Sequence, residues 1–591
     1  MSTQLITNYF RLHNVNQFKE SISETANSVY YVFAGSHLTY PSGDQVIPDL
    51  TNSVEDTLSN SYREMVFGKR VTPTDVAVMV PRYDWTTNTV YTPYDSGVDL
   101  TGEPYYVKVD GGAAHHVFLC LDNSGNVAST QAPDITETEA ADSYYSTSDG
   151  YQWKYMYSIT STQFNKFATD AFIPVNANTM VTGNAVAGAI DVIKVSSGGS
   201  HYNTTFDGTF ISSDLRVGGD TVKYNIANTA SASNSFFTGS FIYLVDGTGS
   251  GQGRRIVDYV VVGNSKTITL SEAFDPTPDS TTQYQITPAV VINGDGDNAV
   301  ARAIVNTNQS NSISHIEIIE RGLNYTWVSA TVVGNTGGVS NAAVITAIMG
   351  PKGGHGSNPE YELGGSAACI SITFANTETG TIPVSNDYRT VGLIKDPLFA
   401  NVVLSVGSPT GSFVVGEQVL QANTGAIGTV TEWDTISTLS LTDVSGIFLT
   451  GNSTVNYLTG GNSATTASLT SYQVNGQSKN FNTYDQRTRF TYANLDGTFT
   501  PDEVVWQTDI QLANGIFHSI SSPNIYFTHI QGTLNTGNTI TGETSGATAT
   551  LMFAYPPDIV VGSGEVLYVE NEAPITRSES QSEAIKIILQ F

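Results

Sequence analysis

The sequence is poor in positive charge. It has 25 Lys and Arg residues against 54 Asp and Glu residues in 591 positions, so the formal net charge is −29. A chain this acidic repels phosphate backbones instead of neutralising them. We therefore expect no nucleic acid among its partners.

Cysteine and long apolar runs are also scarce. Cys120 and Cys369 are the only cysteines, which excludes a disulfide framework and cysteine-rich zinc sites. No run of about 18 apolar residues occurs, so we expect no membrane insertion through a helix. The first residues, MSTQLITNYF, lack the basic and then apolar pattern of an ordinary secretion signal.

The residues that are abundant are typical of β structure. Val, Ile, Thr, Tyr and Phe alternate with short stretches of Gly, Asn, Asp and Ser, as strands alternate with turns. With 30 Tyr and 25 Phe residues, the chain has too much apolar surface to remain disordered. The pattern predicts a mainly β, multidomain, β-sandwich-like architecture with nested insertions and little helix. Helical signals occur only at 15–27 and 49–60.

An internal repeat organises the second half of the chain. FVVGEQVLQ at 413–421 matches FTPDEVVWQ at 499–507, and in each copy a second match (FLTGN or LNTGN) begins 35 residues after the first Phe. Such a unit indicates strands joined by tight, glycine-containing turns. We predict two repeated β modules, at about 405–470 and 490–555, inside an inserted segment 401–555.

A second repeat lies upstream. IKVSSGGSHY at 193–202 matches IEIIERGLNY at 316–325, and AVVINGDGDNAVARAIV at 289–305 matches TVVGNTGGVSNAAVITAIM at 331–349. The first copy is interrupted, whereas the second is continuous. We predict an inserted β region at 181–385 with a nested β domain at about 205–286, since loop tips tolerate such insertions.

Few motifs point to chemistry. GTGSGQG at 247–253 precedes a strand-like segment, which favours a tight turn over a phosphate-binding loop. His355, Glu360 and Glu362 lie close together in sequence and could bind a metal ion, or belong to an ordered glycine-rich loop, which we favour. His115 and His116 point to opposite faces of a strand. We predict no catalytic residue, no cofactor and no metal site.

One strand carries four large aromatic side chains. Asp149 and Gly150 form a turn before it, and a period of two places its aromatic residues on one face. We name as candidate interface or core anchors Tyr151, Trp153, Tyr155 and Tyr157, together with Trp85 from the turn Pro81–Trp85. A core role is the plainer interpretation, and an interface role is the alternative because Trp and Tyr dominate interface hot spots.

Five segments together resemble a known family. They are YYVFAGSH at 30–37, VMVPRYDWTTNTVYTPYD at 78–95, SDGYQWKYMYSIT at 148–160, YRTVGLIKDPLFA at 388–400 and GEVLYVENEAPITRSESQSEAIKIILQF at 564–591. They are similar to corresponding segments of the baseplate wedge protein of T-even-like contractile-tailed phages, the dimeric peripheral wedge subunit. The resemblance covers about 1–175, 386–400 and 555–591, and the chain exceeds the family form by inserted β modules.

The resemblance implies a domain organisation and a function. It implies an N-terminal family-like β region at 1–180, against which the C-terminal family-like segments 386–400 and 555–591 pack. It implies a homodimer that contacts other baseplate wedge proteins in the virion tail baseplate, assembled in the host cytoplasm. The chain would be a structural subunit, not an enzyme, acting in baseplate assembly and in the conformational change that accompanies tail contraction.

Two alternatives remain open. The first is a host-surface adhesin or tail-spike component whose β modules bind carbohydrate, with Trp327, Trp433 and Trp506 as aromatic platforms. The second is a glycan-degrading enzyme. The paired carboxylates that such an enzyme needs are defined by their spatial separation, which the sequence does not give.

Overall fold

A computed structural model describes residues 6–24, 28–50, 53–133, 144–210, 217–334, 341–375, 378, 382–383, 386–451, 454–507, 513–578 and 580–591. Strands take 48% of the chain and helices 10%, which confirms the predicted mainly β, multidomain class. The helices are α1 Asn8–Ser23, α2 Val54–Glu64, α3 Ser161–Phe167, α4 Thr179–Gly183 and α5 Pro359–Glu362.

The two longer helices lie near the two predicted helical segments. Ser53 caps α2 by accepting a hydrogen bond from the backbone of Asp56, and Glu55 and Asp56 stabilise its first turn. The helix α1 begins earlier than the predicted segment 15–27. Residues 25–27 and 51–52, which belong to the two predictions, lie outside the described residues.

The strands are numbered in chain order. The first ten are β1 Tyr30–Gly35, β2 Met65–Arg70, β3 Val76–Pro81, β4 Tyr106–Asp110, β5 Ala114–Asp122, β6 Tyr144–Ser146, β7 Gln152–Thr160, β8 Phe172–Pro174, β9 Ile190–Ser197 and β10 Phe206–Thr209. The next twelve are β11 Lys223–Asn225, β12 Phe241–Asp246, β13 Gly253–Val262, β14 Ser265–Leu270, β15 Gln283–Thr287, β16 Ala289–Gly294, β17 Asp297–Asn306, β18 Ser312–Leu323, β19 Val328–Val333, β20 Val344–Met349, β21 Ala367–Phe374 and β22 Asn386–Lys395. The remainder are β23 Val402–Gly407, β24 Gln418–Gln421, β25 Ala426–Trp433, β26 Thr438–Ser445, β27 Leu458–Gly460, β28 Thr466–Val474, β29 Thr483–Asp485, β30 Thr488–Asp496, β31 Val504–Gln507, β32 Ala513–Ser521, β33 Asn524–Gln531, β34 Thr539–Gly542, β35 Thr548–Tyr555, β36 Glu565–Arg577 and β37 Glu583–Gln590.

The chain divides into two compact units. The first unit comprises Met1–Leu12 and Val78–Ser366, and the second comprises His13–Ala77 and Ala367–Phe591. The predicted family-like region 1–180 is divided between the two units at two points, after Leu12 and after Ala77. Continuity in sequence does not define the compact units of this chain, because strands such as β1 and β22 pair across hundreds of residues.

In the first unit, an antiparallel sheet in the order β4-β5-β7-β6 carries the aromatic strand β7. The inserted region follows it. The strands β9 and β18, which hold the two copies of the upstream repeat, contribute to one core with Tyr202, Ala301 and Tyr325. Residues 335–340 of the second copy lie outside the described residues.

The segment between the two halves of the first repeat copy folds around a core of its own. It is a six-stranded sheet in the order β10-β15-β12-β13-β14-β11. Its core includes Tyr224, Ile242, Ile256 and Tyr284. Phe206 pairs with Ile286, so the two ends of this nested domain lie side by side.

In the second unit, the five strands β29-β2-β1-β22-β36 form one sheet, which we call the base sheet. Phe33 of β1 pairs with Gly392 of β22, and Leu393 of β22 pairs with Tyr568 of β36. The strand β37 pairs with β21 along its full length. The base sheet therefore joins chain segments from near the start, the middle and near the end of the sequence.

The two repeated modules are closed six-stranded barrels. Barrel 1 has the strand order β23-β26-β25-β24-β27-β28, and barrel 2 has β30-β33-β32-β31-β34-β35. The two orders are equivalent strand by strand, as expected for a duplicated unit. Closure pairs every strand on both sides and removes exposed strand edges, which an isolated hairpin would leave open.

Candidate functional sites

The predicted aromatic anchors lie in the sheet of the first unit and are mostly buried. Tyr151, Trp153 and Tyr155 share one core cluster with Phe118, and the rings of Tyr151 and Trp153 stack with centroids 5.3 Å apart. The Tyr151 hydroxyl donates to the carbonyl of Val127 over 2.5 Å. In this unit these side chains build the interior of a sheet domain.

Tyr157 lies on the opposite face of β7 from Tyr151, Trp153 and Tyr155, although strict alternation predicts one shared face. Val117 pairs with Tyr157 and Phe118 pairs with Tyr155, so Met156 is an extra residue in β7. Tyr157 and Met156 both pack in the neighbouring core cluster. A β-bulge of this kind inserts one residue into the strand, so each later side chain points to the face opposite to the one that alternation predicts.

The turn before the aromatic strand is held by Asp149. Its carboxylate accepts hydrogen bonds from the backbone amides of Thr130 and Gln131, at 2.7 and 3.0 Å, and from the hydroxyls of Ser129 and Thr147. Burial alone would raise the pKa of Asp149, but these hydrogen bonds lower it to about 2. The carboxylate is a structural acceptor that fixes the turn.

Trp85 is half-buried against the same aromatic cluster. Its indole N–H donates to the Ser129 hydroxyl over 3.2 Å. Beside it, Arg82 makes a bidentate contact with Asp84, whose carboxylate also lies 3.2 Å from the Lys108 ammonium. The predicted turn at Pro81–Trp85 is therefore stabilised by charge.

The glycine-rich loop at 353–365 contains a buried charge cluster. Nδ1 of His355 bonds to the Glu362 carboxylate, and its Nε2 lies 3.5 Å from Asp191 of β9. Burial disfavours the charged ring, but these two carboxylates outweigh it and raise the pKa of His355. Tyr144 donates to Asp191 over 2.6 Å. Sequence proximity found His355 and Glu362 but missed Asp191, which is distant in sequence.

Other predicted positions have separate partners. His115 bonds to Asp110 over 2.6 Å and His116 bonds to Ser158 over 2.7 Å, so the adjacent histidines do not act together. Among the described residues, no group of three or more His, Cys, Asp or Glu side chains is arranged to hold a metal ion. The chain's described helices include none long and apolar enough to cross a membrane.

The repeated glutamates hold equivalent loops in the two barrels. Glu417 accepts from the backbone amides of Val414 and Ser463, at 2.7 and 2.8 Å, and from the hydroxyl of Ser463. Glu503 accepts from Thr500 and Ser545 in the same way, at 2.7 and 2.9 Å. Burial opposes ionisation, yet these bonds lower the pKa of both carboxyls. We call Glu417 and Glu503 the clamp glutamates.

The repeated glutamines add a second matched contact. Gln421 exchanges two hydrogen bonds with the backbone of Leu449, at 2.7 and 2.9 Å. Gln507 does the same with Asn535, at 2.6 and 2.9 Å. Both side chains are fully buried. The residues that match between the two copies of the repeat therefore include side chains that form hydrogen bonds with backbone groups in the barrel interior.

Barrel 2 carries a cluster of ionisable groups that sequence reasoning missed. His37, just after β1, bonds to Asp502 over 2.8 Å and to Thr528 over 2.7 Å. Its ring lies 5.0 Å from that of His518 and 5.9 Å from that of His529, measured between centroids. The polar joint, as we call this cluster, consists of His37, Asp485, Arg487, Asp502, His518, Thr528 and His529.

The three tryptophans considered as sugar platforms differ in exposure. Trp433 packs against the core of barrel 1, with its ring 5.3 Å from that of Phe413. Trp506 is 38% exposed on barrel 2, and Trp327 is 55% exposed in the inserted region. Trp327 is therefore the most accessible of the three, although it does not line either of the cavities described for this chain.

Comparisons with known proteins do not identify the chain. Neither a scan of protein-family models nor a search of curated proteins returned a match.

Proposed function

We propose that the chain is a structural subunit of a phage tail baseplate wedge, active in baseplate assembly and in the conformational change of tail contraction. One observation carries the proposal. Three of the segments that resemble the wedge protein are far apart in sequence, yet they contribute β1, β22 and β36, which are neighbours in the base sheet. The segments behave as parts of one structural element.

The arrangement of the inserted modules supports the same proposal. The nested domain and barrel 2 each have a separate hydrophobic core. Additions of this kind enlarge a subunit without rebuilding the element that receives them. Several domains with separate cores also suit rigid-body movement during a change of assembly shape.

We propose further that the free subunit is a homodimer and that other baseplate wedge proteins are its partners in the tail. A net charge of −29 favours solubility of the unassembled subunit. Light scattering should give a particle of twice the 63.1 kDa chain mass. Co-expression with the other wedge proteins of the same phage should give a complex that co-purifies.

A deletion variant tests which segments carry this function. Replacing residues 206–286 by a short glycine–serine linker is feasible because Phe206 and Ile286 are paired neighbours. This variant should still dimerise and join the wedge complex. If it folds but fails to assemble, the assignment of assembly to the family-like segments is wrong.

A further inference from the structure

The first unit contains a groove between the N-terminal sheet and the inserted region. Its volume is about 730 Å³, within the range of small-molecule sites. One wall comes from the turns at Leu121–Gly125 and Gly150, and the other from the strands β9 and β18. We call it the polar groove.

The floor of the polar groove is apolar and well packed. Pro93 and Val195 line it and are half-buried, so they present apolar surface to the groove. Ile193, Ile313, Ile316 and Leu121 also line it but are almost completely buried. Tyr94 also lines it, with its ring held edge-on to the buried His355 ring at 4.8 Å. A floor of fixed aliphatic and aromatic groups offers contacts to the C–H faces of a ligand.

Polar side chains surround this floor. Among them are Asp122, Gln152, Lys194, Gln309 and His315. Burial raises the pKa of Asp122, and the nearby His315 and Lys194 act in the opposite direction. The group offers carboxylate acceptors, an ammonium donor and amides that both donate and accept.

The charges of the groove are close to balanced. Its lining includes two acidic side chains, Asp95 and Asp122, and two basic ones, Lys194 and His315. A site for an anionic ligand needs an excess of cationic side chains, which this lining does not have. The chain's net charge of −29 further disfavours polyanions.

We propose that the polar groove binds a neutral oligosaccharide. Hydroxyl groups both donate and accept, which matches mixed amide, carboxylate and ammonium side chains, and sugar C–H faces match the apolar floor. The site combines residues of the family-like N-terminal region with residues of the inserted region. It goes beyond the proposed structural function and does not depend on it.

Binding is tested with the full chain and labelled oligosaccharides. Maltohexaose, cellohexaose, laminarihexaose and mannohexaose are the neutral probes, and a galacturonate oligomer is the acidic comparison. Fluorescence polarisation should detect at least one neutral probe with a Kd below about 1 mM and weaker binding of the acidic one. Failure of all neutral probes to bind, or tighter binding of the acidic oligomer, would overturn the proposal.

Substitutions at exposed positions then locate the site. Lys194→Ala should weaken binding about tenfold, because a charged hydrogen-bond donor is lost. Ser196→Trp should abolish binding by filling the groove. Lys352→Ala and Ser329→Trp, at exposed positions outside the lining, are matched controls and should leave binding unchanged.

The variants also separate a sugar site from a protein-docking groove. If Ser196→Trp and Ser329→Trp reduced the oligosaccharide affinity equally, the binding site would lie outside the polar groove, and the proposal would be contradicted. So would cross-linking of the groove to a neighbouring wedge subunit with no effect of Ser196→Trp on sugar binding. Circular dichroism of each variant shows that its fold is retained.

Discussion

The two barrels share a strand order and both sets of matched side-chain contacts, but their attachment to the base sheet of the second unit differs. The hydrophobic core of barrel 1 continues into the base sheet through Tyr31, Phe399 and Tyr484. Among the residues that the structure describes, the core of barrel 2 is built from residues of barrel 2 itself, between Phe490 and Leu551. Barrel 1 is therefore attached to the base sheet by apolar packing, whereas barrel 2 contacts the residue His37 after β1 through the polar joint.

This difference predicts different cooperativity. Residues that share a continuous apolar core lose their packing together, so barrel 1 should unfold with the base sheet. Barrel 2 meets the residues around His37 mainly through hydrogen bonds and ion pairs, whose net contribution is modest. Barrel 2 should therefore open as a separate unit, at lower free energy.

The largest effect is expected from truncating the shared core. Phe399→Ala removes a ring whose centroid lies 5.0 Å from that of Phe481 and 6.0 Å from that of Tyr31. We expect the free energy of unfolding to fall by about 3–5 kcal/mol. Hydrogen exchange should rise in both barrel 1 and the base sheet.

Phe527→Ala is the matched variant in barrel 2. Phe527 is fully buried, but its core cluster is confined to that barrel. Increased exchange should be limited to barrel 2. If hydrogen exchange also increased in the base sheet, barrel 2 would not be a separate unit, and the proposed difference between the two barrels would be wrong.

The clamp glutamates should respond alike. Glu417→Gln and Glu503→Gln each replace a carboxylate that accepts several hydrogen bonds by an amide with one acceptor oxygen. We expect each change to destabilise its own barrel by about 1–3 kcal/mol. Denaturant titration monitored by hydrogen exchange in each barrel provides the comparison, and a large inequality would argue against equivalent roles.

Acid should weaken barrel 2 more than barrel 1. Burial, together with the charges of Arg487 and His37, holds the pKa of His518 well below 6.5, and burial followed by His37 lowers that of His529. The folded state therefore binds these protons less readily than the unfolded state. The contribution of neutral His518 and His529 to the free energy of unfolding is complete above pH 6.5, and it is lost as the pH falls below that value.

Charged groups around the polar joint shape this response. They are Asp502 against His37, Asp485 and Arg487 near His518, and Glu64 and Arg63 near His529. Exchange at pH 7.5 and pH 5 should differ mainly in barrel 2, and His518→Asn should reduce the difference. An equal acid response in barrel 1 would contradict the account.

The smallest effects are expected at exposed apolar positions. Ile436 in barrel 1 is 72% exposed and Phe553 in barrel 2 is 66% exposed. Ile436→Ser and Phe553→Ser should each change the free energy of unfolding by less than about 0.5 kcal/mol. A larger loss in either barrel, measured by thermal denaturation, would indicate packing that the exposure does not reveal.

The repeat and the composition were sufficient to predict the class of fold. The matched residues Glu417 and Glu503 marked two equivalent modules, because a duplicated unit keeps the side chains that satisfy its loops. Their closure into barrels was not predicted, since it depends on pairing between strands that are separated by long stretches of chain. The side occupied by Tyr157 depends on a single extra residue in β7, and simple alternation does not detect such a bulge.

The candidate sites were harder to predict than the fold. His37 and His518 are separated by most of the chain, and the polar groove is lined by turns and strands from distant segments. No local motif encodes such a site, because it exists only after the domains have packed. His355 and Glu362 were found together since one short loop holds both.

A density map of a contractile tail from a phage that encodes this chain, in which the chain is either located or shown to be absent, tests the proposed function most directly. The account predicts pairs of subunits at the periphery of the baseplate, each in contact with other wedge proteins through the unit that contains the base sheet. A tail in which this chain is absent from the baseplate, or is present only as a monomer in a host-binding spike, would contradict it.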